Sequence, residues 1–366
     1  MIRPLLLLSL ALSGCDTHWD ETVEGDWRLL KTTVRSNNAG DYGAIIQPKL
    51  GETSMLTTVR PLDDLQDCHI RFLEQSNQVP FRADEEVKSK YSRTNAGYIG
   101  HTVSLNWPIS AADPELNATR SRVQIGVVSR ELKYERGDVE LNVLLKNDSD
   151  LTQGTVRINL IYSGTTGAQS DIVSATEQAI ELWREIYREI GIELDIQLYD
   201  YVGPGVLQAP GQGSDEDYLK ISRETPFGGI NLVVVEELTG IEDVFGFAGD
   251  IPGPMIPSER SAVAVNVGLG AGTDGLFSAG EVELLAETMA HETGHYLGLY
   301  HPVEVSYDAW DALDDTVECQ TEISCIDLIG RNLMFPFPVC NSTSCIPQNQ
   351  ITDEQQGVAH RYAGVL

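Results

Sequence analysis

Eleven residues constrain this chain more than any other stretch: His291-Glu292-Thr293-Gly294-His295-Tyr296-Leu297-Gly298-Leu299-Tyr300-His301. Ser278 and Glu281 ahead of them form a capping-box signature, and Val282, Leu285, Ala286, Met289 and Tyr296 supply the apolar side of a helix. His291 and His295 are four apart, so both imidazoles leave one helix face about a turn apart. At that spacing two ring nitrogens reach one ion at about 2.0–2.1 Å. Glu292, beside the first ligand, is placed to take a proton from an activated water rather than to bind the metal. Gly298 permits the positive φ of a sharp exit, and Pro302 stops the helix and pushes His301 toward extended backbone. Three neutral imidazoles leave one tetrahedral position open, as a catalytic Zn2+ requires. The five-residue core alone arises by chance in about one chain of this length in a hundred; the added Gly and His lower that by about three orders of magnitude.

The rest of the chain sets the context. With 25 basic and 55 acidic residues among 366, the net charge is −30, a field that repels nucleic acid. No apolar run reaches the ~18 residues of a membrane span. The longest is Pro4 to Leu12, after a single charge at Arg3 and before Leu12-Ser13-Gly14-Cys15. This reads as an export signal over 1–14. Its ending resembles the bacterial lipobox, which implies that Cys15 is lipidated and anchors a tether over 15–22 to a membrane, on the periplasmic face or the cell surface. In an exported chain Cys319, Cys325, Cys340 and Cys345 read as a disulfide framework, with three pairings open. The competing structural zinc site lacks a CxxC pair. Cys68 is then the odd cysteine, read as a buried inert thiol, the alternative being a latency ligand at the open metal position.

Two periodicities divide the chain, giving an α+β two-domain fold. Residues 23–150 carry short alternating runs (Asp26–Arg35, His69–Leu73, Tyr98–Asn106, Arg122–Val128, Val139–Leu145) separated by turn formers, which predicts an all-β sandwich or barrel. Gly25-Asp26-Trp27 resembles the opening of lipocalin-like barrels. Residues 151–366 read as α/β with a mixed twisted sheet. Thr155–Tyr162, a helix capped by Asp171 and closed by Gly191, and Ile192–Tyr199 make a βαβ unit; Gly229–Glu236 is an internal strand. Gly246–Ala248 and Ser261–Val267 are further strands. The boundary falls between Asn147 and Gly154.

The extended histidine motif resembles that of the metzincin metallopeptidases. The resemblance implies a methionine turn at Asn332-Leu333-Met334-Phe335, with Met334 as an apolar floor beneath the imidazoles. The run Leu297–His301, Asp314-Asp315-Thr316, the cysteines and Ile351–Gln355 look closest to the pappalysin-like group. That likeness implies a calcium site on Asp308, Asp311, Asp314 and Asp315, and an edge strand at Gly246-Phe247-Ala248 to which a peptide adds. The chain departs from that group at Met334-Phe335-Pro336, where no tyrosine follows two residues on, and at Val317. The expected activity is hydrolysis of peptide bonds in a protein or peptide substrate, with Zn2+ on His291, His295 and His301 and Glu292 as general base. The alternative is a binding lipoprotein whose metal half is a non-catalytic scaffold; a non-peptide zinc hydrolase is a third reading.

Overall fold

The computed structural model describes residues 17–211, 216–241, 244–272, 275–340 and 344–366. The export signal and Cys15 lie outside them. Among the described residues, ten strands precede residue 150: β1 (Asp20–Glu24), β2 (Trp27–Arg35), β3 (Asp41–Ile46), β4 (Ser54–Pro61), β5 (Gln66–Gln75), β6 (Gln78–Arg82), β7 (Tyr91–Ser92), β8 (Val103–Trp107), β9 (Ser121–Ser129) and β10 (Asp138–Lys146). All but β7 form two antiparallel sheets, ordered β1-β2-β10-β4-β8 and β3-β9-β5-β6. Leu30, Met55, Val59, Leu141 and Val143 of the first meet Ala44, Ile70, Val123 and Ile125 of the second in one core. This is the sandwich, and not the lipocalin-like barrel: sequence neighbours do not pair around a closed ring. The tether expected over 15–22 also ends earlier, because β1 pairs along β2 from Asp20.

Trp27 corrects the barrel reading for a physical reason. Its ring leaves the sandwich, packs edge-on against Phe227 and donates Nε1–H to the Ala363 carbonyl at 2.7 Å. Together with Leu56 and Leu144 it joins the hydrophobic core of the second half. The β2-β10-β4 sheet is therefore covered on both faces, which explains why β4 shows no clean alternation: Met55 and Val59 enter the sandwich while Leu56 enters the neighbouring core. A buried amine fastens the same seam, Lys146 Nζ donating to the His360 carbonyl at 3.0 Å.

The second half adds β11 (Gly154–Ser163), β12 (Ile192–Tyr201), β13 (Val206–Gln208), β14 (Ile230–Val235), β15 (Glu237–Thr239), β16 (Gly246–Ala248), β17 (Val263–Asn266) and β18 (Trp310–Asp311). Its main sheet runs β12-β11-β14-β17-β16, parallel except for the antiparallel edge pair β16–β17. The crossover helix Ser170–Glu189 starts one residue before Asp171; Gln169 holds the cap position without a side-chain bond. Gly191 closes it at φ +73°, where a Cβ would lie 1.9 Å from the Thr152 carbonyl oxygen. This helix packs on the helix Ala279–Tyr296, Tyr187 donating its hydroxyl to the Ala290 carbonyl at 2.9 Å.

Candidate metal centre

The helix Ala279–Tyr296 begins with the expected reciprocal cap: Ser278 Oγ accepts from Glu281 N and Glu281 Oε2 accepts from Ser278 N. Its length carries His291 and His295 to the far end. The chain then exits through Gly298 at φ +106°, with Gly298 N donating to the His295 carbonyl at 2.9 Å. That turn brings His301 back over the helix. His295 Nε2 lies 3.1 Å from His301 Nε2, which lies 3.3 Å from His291 Nε2. Among the described residues these three histidines are the one metal-capable cluster found.

Each opposite ring nitrogen is spoken for. His291 Nδ1 donates to the Leu333 carbonyl and His295 Nδ1 to the Leu299 carbonyl, both at 2.7 Å, and His301 Nδ1 donates to Glu304 Oε2 at 3.1 Å. With the proton on every Nδ1, three Nε2 lone pairs face one another. Burial, reinforced by neighbouring His301, holds His291 neutral down to about 3, and burial holds His295 well below the ordinary imidazole range. Lone pairs aimed at a common point repel unless a cation sits between them, so the donor set fits a tetrahedral divalent ion such as zinc.

Glu292 lines the same cleft. Burial pushes its carboxyl to about 8, opposed by a bond from the backbone N–H of Ala248 on the edge strand. A nearby dication favours the carboxylate instead. Gly246 permits this approach, since a Cβ there would stand 2.6 Å from Glu292 Cγ. Met334 is fully buried. Its Sδ would be 2.7 Å from a Cβ built on Gly294, so Gly294, inside the motif, is the space into which the methionine fits. The turn is set by Asn332 Oδ1 accepting from Met334 N at 2.9 Å. The cleft encloses about 520 Å³ between β16 and the helix and extends along Phe335, Pro336 and Phe337.

The other expected residues separate into those brought together and those not. Cys319–Cys325 and Cys340–Cys345 are bonded, so both bridges join sequence neighbours. Cys68 is buried in the sandwich core with Sγ against the Val59 and His101 carbonyls and is not part of the histidine cluster. The four aspartates do not converge as a calcium cage. Asp308 binds the Ser306 hydroxyl. Asp311 accepts from Thr316 Oγ1 and Leu313 N. Asp315 accepts from Thr352 Oγ1 and Glu354 N, and Glu354 in turn accepts from Asp314 N. Asp308 and Asp311 bond groups close in sequence and Asp315 bonds the start of the helix Asp353–Arg361, uses that the acidic composition of the loop does not distinguish from cation binding. Sequence reasoning misses Glu304, Gly294, Asn95 and Asp250. Of these, Glu304 alone carries a signal, a carboxylate three residues after a ligand.

The sequence matches no family model, and no curated protein is recovered as a relative. Among solved structures, archaemetzincin from Methanopyrus kandleri is 15% identical, covering 57% of this chain and 88% of that one at a TM-score of 0.29. Metalloproteinase-II from Bacteroides fragilis is 14% identical, covering 49% and 56% at 0.29. A family two carbohydrate esterase from Cellvibrio japonicus is 10% identical, covering 61% and 68% at 0.17. Overlaps at these scores establish no common fold, so the function is read from the site itself.

Proposed function

We propose that this chain is an exported, lipid-anchored, zinc-dependent endopeptidase of the metzincin kind. One observation carries the reading: the Nε2 atoms of His291 and His295 both lie within 3.3 Å of His301 Nε2, beside a half-buried glutamate that also meets the backbone of an edge strand. His291, His295 and His301 would hold zinc, which would supply a Lewis acid able to lower the pKa of a water toward ~7. Glu292 takes the proton from the attacking water and passes it to the leaving amine. β16, paired on one side only, offers main-chain groups to an extended peptide. A catalytically silent scaffold has no use for a half-buried carboxyl at this point, which counts against the pure binding lipoprotein. The anchor through Cys15 and the extracytoplasmic location rest on the sequence pattern; no helix among the described residues is long and apolar enough to cross a membrane.

The test is incubation of the full mature chain with a peptide library, read by mass spectrometry, with and without chelator. Glu292→Gln should keep one zinc per chain and lose at least about 10³-fold in kcat, the scale of a general-base contribution. Undiminished cleavage by that variant rules out the assignment.

A further inference from the structure

The β half reaches into the cleft. β7 of that half pairs in parallel with β18, which follows the third histidine in sequence. Trp310 N donates to the Lys90 carbonyl at 2.8 Å, and the Tyr91 hydroxyl donates to Glu318 at 2.9 Å. A few residues on, Thr94 Oγ1 caps the short turn Asn95–Gly97 through Ala96 N. That turn presents Asn95 to the cleft between two loops of the other half. Asn95 N donates to the Ile251 carbonyl at 2.8 Å, and Asn95 Nδ2 donates to Asp250 Oδ1 at 3.1 Å. Asn95 Oδ1 accepts from the Tyr300 hydroxyl at 2.7 Å. Asp250 follows the edge strand by two residues, and Tyr300 precedes the ligand His301 by one.

We infer that the turn bearing Asn95 forms part of one wall of the peptide-binding cleft, and that Asn95 is a positioning residue fixing the edge strand relative to the third-ligand loop. This rests on the peptidase reading above. The geometry argues against a separable module. Asn95 lines the cleft together with Asp250, Tyr300 and His301, so the edge strand and the histidine loop are held at their spacing by a side chain from the other half of the sequence. An asparagine suits this position, since one amide offers a donor to a carboxylate and an acceptor to a phenol at once. Asp250 is nine-tenths buried or more and has Arg260 at 3.6 Å as its charged neighbour, so the amide donor is one of few groups holding it in place.

Two readouts test this on the full mature protein, comparing wild type with Asn95→Ala, Asn95→Asp and Tyr300→Phe. The first uses a good substrate and a version truncated on the side of the scissile bond that runs past Gly249–Asp250. For Asn95→Ala, KM for the long peptide should rise about tenfold with kcat within about twofold, while the short peptide changes little, the loss expected for one or two partly buried hydrogen bonds. Asn95→Asp should be as damaging, because it keeps the acceptor for Tyr300 but sets a second carboxyl against Asp250. The second readout needs no substrate: zinc transfer to a chelator should run severalfold faster in Asn95→Ala and Tyr300→Phe. Equal losses on long and short peptides would reduce Asn95 to a merely structural residue and overturn the inference, as would unchanged KM and unchanged zinc release. Wild type that cleaves no peptide refutes the peptidase reading instead, and zinc release still decides whether the turn braces the third ligand.

Discussion

Glu304 offers a handle on the metal that the ligands themselves do not. His291 and His295 are oriented by backbone carbonyls, which side-chain substitution leaves in place. His301 alone is oriented by a side chain, through the 3.1 Å bond to Glu304 Oε2. The loop backbone around Glu304 is independently fixed, with Glu304 N donating to the Ala309 carbonyl and Tyr307 N to the Glu304 carbonyl. Glu304→Ala therefore removes the orienting group with little collateral change. A hydrogen bond to a charged partner contributes about 1.5–3 kcal/mol. The Glu304 side chain is 35% exposed, so solvent screening discounts this to about 1–1.5 kcal/mol, or roughly 5- to 15-fold in zinc affinity. Glu304→Gln keeps an acceptor and loses the charge, and should fall between wild type and Glu304→Ala. Competition against a chromophoric chelator measures all three. If Glu304→Ala binds zinc as tightly as wild type, the carboxylate does not set the His301 tautomer and the reasoning fails.

Two further outcomes are expected. Burial raises the Asp311 carboxyl to about 7, against its ordinary 3.8, and one of its oxygens has no partner. The folded protein then holds a proton that the unfolded chain releases between about 4 and 7, so stability falls as pH climbs through that window and levels off above it. Asp311→Asn should abolish that slope and raise the melting temperature at pH 8 more than at pH 5; a calcium-dependent rise in wild type that the variant lacks would restore the calcium reading. Trp27→Ala, which removes a ring buried across the seam and its bond to Ala363, should cost about 3–5 kcal/mol and lower a single cooperative melt of the whole chain. Two separate transitions, only the earlier one shifted, would mean that the halves fold independently.

Local chemistry is legible in the sequence wherever the decisive interactions lie within a few turns of the chain. The capping box at Ser278, the one-turn spacing of His291 and His295, the glycine exit at Gly298 and the strand-helix-strand order from Gly154 follow from periodicity and backbone sterics, which neighbouring residues set among themselves. The strand at Gly246-Phe247-Ala248 is the antiparallel edge that the family resemblance implies. The four aspartates suggest a calcium site on paper, but a carboxylate's partner is chosen in space: here the Thr352 hydroxyl and the Glu354 amide, from a distant part of the sequence, take Asp315, while a nearby hydroxyl and amide take Asp311. Trp27 belongs to a different core from the one its strand suggests for the same reason, since an indole next to a strand shows which residue is apolar but not which neighbour covers it. That three imidazoles and a glutamate share one short segment is written in the order of the residues, because a helix and a glycine turn need no distant help to bring them together. That Met334 packs into the gap left by Gly294, that Glu304 turns one ring, and that Asn95, some two hundred residues upstream, stands at the edge of the cleft emerges in the folded molecule, because close packing brings together groups that no sequence period relates.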